Sequence, residues 1–193
     1  DYFYYKHSEG LSFDTIVASG ENSSKPHAIP SDRKIQKNDI ITIDMGCKIK
    51  GYCSDMTRTI FVGDVPEEKV YELVLKNQEQ VLQDMRDGAN TKQISKMVDN
   101  DFRLHNFDLI HALGHGVGLD IHEGPVLSIN SEHTLKEKMI VIYGFMIKDI
   151  SFSDEPGIYI PGQFGVRIED TVQIFKGSCE PLTKSPKKII VIK

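Results

Sequence analysis

Two β-branched runs decide the fold, Ile40-Ile-Thr-Ile-Asp44 and Tyr52-Cys-Ser-Asp-Met-Thr-Arg-Thr-Ile-Phe-Val62, and residues 48–51 between them predict a turn. Asp44 and Asp55 are 11 residues apart across that turn, so their numbers have an odd sum. Paired residues of an antiparallel hairpin with an even-numbered loop also have an odd sum, which places both carboxylates on one face, opposite or one diagonal step apart. Two buried carboxylates that converge are costly unless a cation lies between them.

A second pair of acids repeats this pattern further along the chain. Glu155 and Glu169 are 14 residues apart around Pro161-Gly162-Gln163, so a loop with an odd number of residues places them opposite each other. Acids on a solvated strand face are common, and either pair alone is weak evidence. Two such pairs in one short chain favour a shared cation site.

A segment rich in histidine and glycine lies between the two acidic pairs. It reads His111-Ala-Leu-Gly-His115-Gly-Val-Gly118 and continues to His122-Glu-Gly-Pro125. The glycines around His115 leave room for backbone or substrate to come close, although a Gly-rich loop with incidental histidines has the same pattern. His27, in Lys25-Pro-His-Ala-Ile-Pro30, is a further candidate, but a lone histidine in a Pro-rich loop is usually a surface residue.

The combined donor set predicts a pair of hard divalent cations. Four carboxylates and one imidazole favour Mn²⁺, with Co²⁺, Zn²⁺ or Fe²⁺ as alternatives. One zinc ion needs only about three or four protein ligands, so five donors indicate two ions that share bridging carboxylates. Two ions about 3.5 Å apart can hold a hydroxide and polarise a carbonyl group, which is hydrolytic chemistry.

The remaining pattern predicts helices between the two hairpins. Pro66-Glu-Glu68 predicts the start of a helix with Asp64 as a possible cap, and an apolar stripe then runs towards Gly88. Thr91 is the expected cap of a second helix. Strands are expected at 158–160, 166–168, 171–175 and 189–192, and the order of hairpin, helices and hairpin suggests two related halves.

Composition excludes several classes of protein. The chain has 193 residues, the size of one domain, and a formal net charge of -5 without a long basic run, which argues against nucleic acid and anionic membranes as partners. Its most apolar stretch, 139–152, is interrupted by charges and is shorter than the roughly 20 residues of a membrane span. Three cysteines without CxxC spacing predict reduced thiols and a cytoplasmic location.

Nine short motifs are spread over nearly the whole chain. They are Ser12-Phe-Asp-Thr-Ile-Val-Ala-Ser-Gly20, Pro26-His27, Pro30-Ser-Asp-Arg33, Ile43-Asp-Met-Gly46, Gly51-Tyr-Cys-Ser-Asp-Met-Thr-Arg-Thr59, Gly114-His-Gly-Val-Gly118, His122-Glu-Gly-Pro125, Glu155-Pro-Gly-Ile-Tyr159 and Gly165-Val-Arg-Ile-Glu-Asp170. In sequence and order they resemble the motifs of Xaa-Pro aminopeptidases in the creatinase and methionine aminopeptidase superfamily. Methionine aminopeptidases share the ligand types but differ around His27.

The resemblance implies the α+β pita-bread fold, in which two pseudo-symmetric αβ halves with antiparallel sheet surround a dinuclear metal site. It implies that Asp55 and Glu169 bridge both ions, that Asp44 binds one ion, and that His115 and Glu155 bind the other. The residues that the resemblance places around the substrate or in support of the ligands are His27, His111, His122, Tyr159 and Arg167.

The implied activity is hydrolysis of the first bond of a peptide with proline at its second position. We expect a hydroxide that bridges the two ions to attack the scissile carbonyl while Glu155 takes its proton. His122 is expected to hydrogen-bond the tetrahedral intermediate, and His27 and His111 to hold the substrate around the proline. Three alternatives stay open: an Xaa-Pro dipeptidase, a peptide-binding module that has lost catalysis, and a structural domain with solvated acids.

Two departures from the family pattern lead to further expectations. The family usually has a preceding domain, so we expect residues 1–193 to form one metallopeptidase catalytic domain that is incomplete at its N-terminus, possibly in a homo-oligomer. The spacing before Glu155 is longer than usual, which predicts an insertion around residues 140–152. That insertion is expected as a looped-out segment or as an extended edge strand.

Overall fold

The fold is described from a computed structural model that places residues 6–25, 27–64, 67–109, 112–145, 158–160 and 162–193. Within these residues a short 3-10 helix spans Gly20–Ser24, and the long α-helices are α1 (Glu68–Asp84) and α2 (Thr91–Leu104). The strands are β1 (Gly10–Leu11), β2 (Ile16–Ser19), β3 (Ile40–Met45), β4 (Cys47–Ile49), β5 (Tyr52–Cys53), β6 (Met56–Val62), β7 (Gly114–Gly116), β8 (Glu123–Leu127), β9 (Ile140–Phe145), β10 (Ile158–Ile160), β11 (Phe164–Val166), β12 (Ile168–Ile174), β13 (Cys179–Pro181) and β14 (Val191–Ile192).

One large sheet brings distant parts of the chain together. Its strands follow the order β2-β3-β6-β12-β9-β7-β8, while β13 pairs with β12 and β14 pairs with β6. Strand β6 runs antiparallel to β3 and β12, and β12 runs antiparallel to β9. Strand β14 runs parallel to β6. Strand β6, which directly follows Asp55, and strand β12, which contains Glu169, are therefore neighbours near the middle of the sheet.

The first acidic hairpin has the predicted odd-sum register. Asp44 pairs with Thr57, so Asp55 lies one diagonal step from Asp44 on the same face. The turn is shorter than expected, because Lys48 and Ile49 already pair within the small β4–β5 hairpin. Lys50 and Gly51, at φ 52° and 79°, form its two-residue turn, where positive φ favours glycine.

The second hairpin also matches the predicted geometry as far as the structure describes it. Strands β10 and β11 pair from Ile158↔Val166 to Ile160↔Phe164, so three residues of the sequence separate the last paired positions. The strand expected at 166–168 is divided, because β11 ends at Val166 and β12 begins at Ile168. Glu155 lies outside the described residues, so its position opposite Glu169 stays a prediction.

Both helices form where the apolar stripes predict them, but their N-terminal caps differ from the prediction. Glu67, not Asp64, is the N-cap residue of α1, and it makes no side-chain capping bond. Asn90, not Thr91, caps α2, because its side-chain oxygen accepts a hydrogen bond from the Gln93 amide at 3.0 Å. Neither described helix has the length and apolar character needed to cross a membrane.

The core lies between the helices and the sheet. Buried apolar residues of α1 and α2 pack with alternate residues of β12, namely Ile168, Val172 and Ile174. Glu169 lies between Ile168 and Asp170 in the same strand, and successive side chains of a strand point to opposite faces. The apolar alternation of β12 therefore turns Glu169 away from the helices.

The start of the expected insertion at 140–152 is part of this core. Strand β9 pairs with β12 on one side and β7 on the other, and Val141, Ile142 and Tyr143 are fully buried. The expectation of a looped-out segment or an edge strand is therefore wrong for residues 140–145. A short continuous apolar run is typical of a strand buried on both faces. Residues 146–152 lie outside the described part of the chain, so an insertion there stays a prediction.

Candidate metal centre

Three strands and one loop bring the predicted acids and a histidine to one place. Thr57 of β6 pairs with Asp44 of β3 on one side and with Glu169 of β12 on the other. Asp55 directly precedes β6, and His115 lies in β7. One ligand atom from each of Asp55, His115 and Glu169 lies within 4.8 Å of the others, which is a spacing that one metal ion can span.

Within the acidic cluster, two buried carboxylate oxygens have no hydrogen-bond donor among the described residues. They are Oδ1 of Asp44 and Oδ1 of Asp55. The other oxygen of Asp44, Oδ2, receives a hydrogen bond from Nη2 of Arg167 at 2.6 Å. A buried acceptor without a partner is costly, so these oxygens fit a site in which a cation takes the place of the missing donor.

The hydrogen bonding of His115 prepares it as a ligand. Its Nδ1 lies 2.9 Å from the carbonyl oxygen of Gly116. A carbonyl only accepts, so Nδ1 carries the hydrogen of the neutral ring and Nε2 keeps its lone pair. Nε2 lies 3.9 Å from Oδ2 of Asp55. The backbone of β7 therefore selects the tautomer whose free nitrogen faces the carboxylates.

The electrostatics of the cluster also favour a cation. Burial raises the pKa of Asp55, and the nearby charges of Glu169 and Asp44 raise it further. Burial and the charge of Asp44 likewise raise the pKa of Glu169, while burial lowers the pKa of His115. These shifts report like charges packed together away from water. Bound divalent cations would lower the raised pKa values of the two acids, and carboxylate oxygens with imidazole are a donor set that such ions accept.

The other predicted site residues are placed as follows. His122 is exposed, and its ring centre lies 4.4 Å from that of His115. His27 lies in an exposed turn, and Tyr159 lies in β10 opposite Gly165. Arg167 is buried against Asp44. Two further predicted residues, His111 and Glu155, lie outside the described residues.

The glycines around His115 serve the contact between strands. A β-carbon at Gly114 would overlap the carbonyl oxygen of Ile142 in β9, and one at Gly116 would overlap the carbonyl oxygen of Gly124. Both neighbours are backbone atoms, which cannot move aside as a flexible side chain can. These two glycines therefore let β7 approach its neighbours, and they hold His115 in place.

Replacing Gly114 by alanine is expected to destabilise the chain and displace His115. Overpacking typically costs about 1–3 kcal/mol, and the upper end applies here because the clash is with backbone. Urea unfolding of Gly114→Ala measures the cost. Gly177→Ala is the matched control, since no atom lies within 4 Å of a β-carbon built there. An equal, small effect in both variants would contradict this account.

One residue at the centre was not predicted as a site residue, although it lies within the motif Gly51–Thr59. Thr57 is fully buried, and its hydroxyl lies 2.7 Å from Oε2 of Glu169 and 2.9 Å from Nε of Arg167. The only local hint is that Thr57 follows Asp55 by two residues and so shares its strand face. Its contact with Glu169 depends on the pairing of β6 with β12, which a single hairpin does not reveal.

The family model for metallopeptidase family M24 matches residues 1–176. The chain belongs to this family. The resemblance to the creatinase and methionine aminopeptidase superfamily is thereby confirmed, and so is the expected pita-bread fold, because the solved structures that match the chain are enzymes of this fold. The M24 family uses divalent metals, and the cluster of Asp55, His115 and Glu169 is suited to one.

Several proteins that match the chain are named as Xaa-Pro peptidases or prolidases. The chain is 40% identical over 188 residues to the Xaa-Pro dipeptidase of Pyrococcus furiosus, covering 95% of this chain and 51% of the relative. Among solved structures it matches a prolidase from Thermococcus sibiricus, with a TM-score of 0.88, 36% identity and coverage of 98% and 50%. It also matches an X-Pro aminopeptidase from Thermotoga maritima, with a TM-score of 0.85, 36% identity and coverage of 97% and 51%. The chain thus spans about half the length of these relatives.

Proposed function

We propose that this M24 chain is the catalytic part of a metal-dependent Xaa-Pro dipeptidase. The observation that carries the proposal is the convergence of Asp55, His115 and Glu169, with Asp44 beside them, at ligand spacing. The sequence motifs favoured an Xaa-Pro aminopeptidase. The names of the most similar relatives, Xaa-Pro dipeptidases and prolidases, support the alternative better. The aminopeptidase stays the second candidate, because an X-Pro aminopeptidase matches at a TM-score of 0.85.

The proposed cofactor is a pair of divalent cations, with Mn²⁺ as our choice among Mn²⁺, Co²⁺, Zn²⁺ and Fe²⁺. When bound, such ions activate water as a nucleophile and polarise the scissile carbonyl. The proposed ligands are Asp44, Asp55, His115, Glu155 and Glu169. Hard oxygen donors and one imidazole support this choice, and the unpartnered oxygens of Asp44 and Asp55 are where we expect the chain to hold the ions.

The remaining site residues are proposed to hold the substrate and move its protons. Glu155 takes the proton of the attacking water. His122 is exposed beside His115, where it can reach a substrate and donate to the developing tetrahedral oxyanion. Such a donor is worth on the order of 3 kcal/mol. His27 and His111 are proposed to bind the peptide around its proline, and Tyr159 and Arg167 to support the metal ligands.

The domain, substrate and partners of the enzyme follow from the same interpretation of the chain. We propose that residues 1–193 act as one catalytic domain whose substrate is a peptide with proline at the second position. Nucleic acid and membranes are not expected as partners, given the net charge of -5. A homo-oligomer and a cytoplasmic location stay predictions.

A comparison of three substrates tests the proposed function. The purified chain, loaded with Mn²⁺, is given Leu-Pro, Leu-Pro-Gly and Met-Ala, and release of the first residue is measured with and without a chelator. Metal-dependent cleavage of Leu-Pro alone supports the dipeptidase. Cleavage of Leu-Pro-Gly alone overturns it in favour of the aminopeptidase. Metal binding without cleavage of any substrate indicates the binding module.

A further inference from the structure

Thr57 occupies the position between two of the proposed ligands. It pairs with Asp44 across β3 and with Glu169 across β12, and its side chain is fully buried. Three neighbouring strands thus place a carboxylate, a hydroxyl and a carboxylate in one row. The hydroxyl of Thr57 is therefore a neutral group between Asp44 and Glu169, two acids close enough for the charge of Asp44 to raise the pKa of Glu169.

The direction of the hydrogen bonds at Thr57 follows from the chemistry of its partners. The Nε–H of Arg167 can only donate, so the hydroxyl oxygen accepts at 2.9 Å. A hydroxyl has a single hydrogen, and the ionised carboxylate of Glu169 can only accept. The hydroxyl of Thr57 therefore donates to Oε2 of Glu169 at 2.7 Å. The result is a directed chain from Arg167 through Thr57 to Glu169.

Arg167 holds the other acid of the row directly. Its Nη2 donates to Oδ2 of Asp44 at 2.6 Å, and Oδ1 of Asp44 is buried without a donor among the described residues. One oxygen of Asp44 is thus held by the protein, and the other is free for a cation. The bond from Thr57 holds Oε2 of Glu169 in the same way, which fixes the orientation of that carboxylate.

We propose that Thr57 is a positioning residue of the metal centre. Its hydroxyl accepts a hydrogen bond from Arg167 and donates one to Oε2 of Glu169. These two bonds fix the orientation in which the Glu169 carboxylate meets a cation. The inference rests on the proposed function, because it requires that the cluster binds a metal. Hydrogen-bond partners of metal ligands typically contribute about 10–100-fold to metal affinity.

Two substitutions at Thr57 separate its hydroxyl from its shape. Thr57→Val keeps the branched shape and removes the hydroxyl, whereas Thr57→Ser keeps the hydroxyl and loses a methyl group. Isothermal titration of the metal-free chain with Mn²⁺ measures the affinity. We expect Thr57→Val to bind about 10–100-fold more weakly than wild type and Thr57→Ser to bind with wild-type affinity.

Thr59 offers a matched control in the same strand. It is 1% exposed, and its hydroxyl accepts from the amide of Arg167 and donates to the carbonyl of Arg167, each at 2.9 Å. Thr59→Val therefore removes a buried hydroxyl with two hydrogen bonds, but leaves the bond to Glu169 intact. A merely structural role for Thr57 predicts that both valine variants lose Mn²⁺ affinity equally.

The outcomes distinguish this inference from the proposed function. Wild-type affinity in Thr57→Val, or equal losses in Thr57→Val and Thr59→Val, would overturn the role of Thr57 while the metal centre stands. No Mn²⁺ binding by the wild-type chain would overturn the metal centre, and the role of Thr57 with it. If Thr57→Val does not fold, as measured by circular dichroism, Thr57→Ala compared with Thr57→Ser isolates the same hydroxyl.

Discussion

Replacing Asp55 by asparagine is expected to abolish Mn²⁺ binding and peptide hydrolysis. Oδ1 of Asp55 is buried without a donor, and the side chain lies at ligand spacing from His115 and Glu169. Asparagine has the same shape but no charge, and its NH₂ group cannot bind a cation. Metal ions contribute several kcal/mol to hydrolysis. Since about 1.4 kcal/mol corresponds to a factor of ten, the expected loss of kcat is on the order of 1000-fold.

Without metal, the Asp55→Asn variant is expected to be more stable than the wild-type chain. Burial and two neighbouring acids disfavour the charge of Asp55, so removing that charge relieves repulsion in the folded state. Titration with Mn²⁺ and hydrolysis of Leu-Pro measure the loss, and thermal unfolding without metal measures the gain. Asp120→Asn, at an exposed position, is the control for the change in net charge. Full Mn²⁺ affinity in Asp55→Asn would refute the assignment of Asp55.

Replacing Asp170 by asparagine is expected to cost about 3–5 kcal/mol of folding free energy, the usual effect of breaking a buried ion pair. Asp170 is fully buried on the helix side of β12. It accepts hydrogen bonds from Arg58 at 2.7 Å, from Gln78 at 2.6 Å and from Thr183 at 2.5 Å, and it lies 3.1 Å from Nζ of Lys187. An asparagine would leave Arg58 and Lys187 without a buried counter-charge.

The pH dependence of the wild-type chain reports on the same group. Burial raises the pKa of Asp170, but the hydrogen bond from Thr183 and the charge of Arg58 outweigh burial and leave the pKa below its ordinary value of 3.8. The stabilisation by ionised Asp170 is therefore complete above pH 3.8 and is lost as the pH falls through the lowered pKa. The difference in stability between wild type and Asp170→Asn should shrink correspondingly in strong acid.

Urea unfolding of metal-free chains at neutral and acid pH measures both effects of Asp170→Asn. Glu180→Gln is the control, because the Glu180–Lys184 pair is exposed, and such surface pairs contribute only about 0–1 kcal/mol. A loss in Asp170→Asn no larger than in this control would contradict the ion-pair account. A loss independent of pH would show that packing, not charge, is the cause.

Features with a local cause could be predicted from the sequence. The parity of Asp44 and Asp55 places both acids on one strand face, because the two-residue period of a strand is a property of its covalent geometry. Apolar periodicity likewise predicts both helices. The caps were harder, since Asn90 and Thr91 are both good capping residues and only the folded backbone decides which oxygen reaches the Gln93 amide.

Features that depend on contacts across the chain were decided by the tertiary structure. Thr57 meets Glu169, 112 residues away, only because β6 and β12 are neighbours in the sheet. Strand β9 was expected as a looped-out segment or an edge strand, because the sequence alone does not show that its apolar run pairs with β7 on one side and β12 on the other. Residue types alone therefore determined that acids and an imidazole are available for cations. Long-range strand pairing determined which of their atoms converge, because the partners of Asp44 and Glu169, which are Arg167 and Thr57, come from distant parts of the chain.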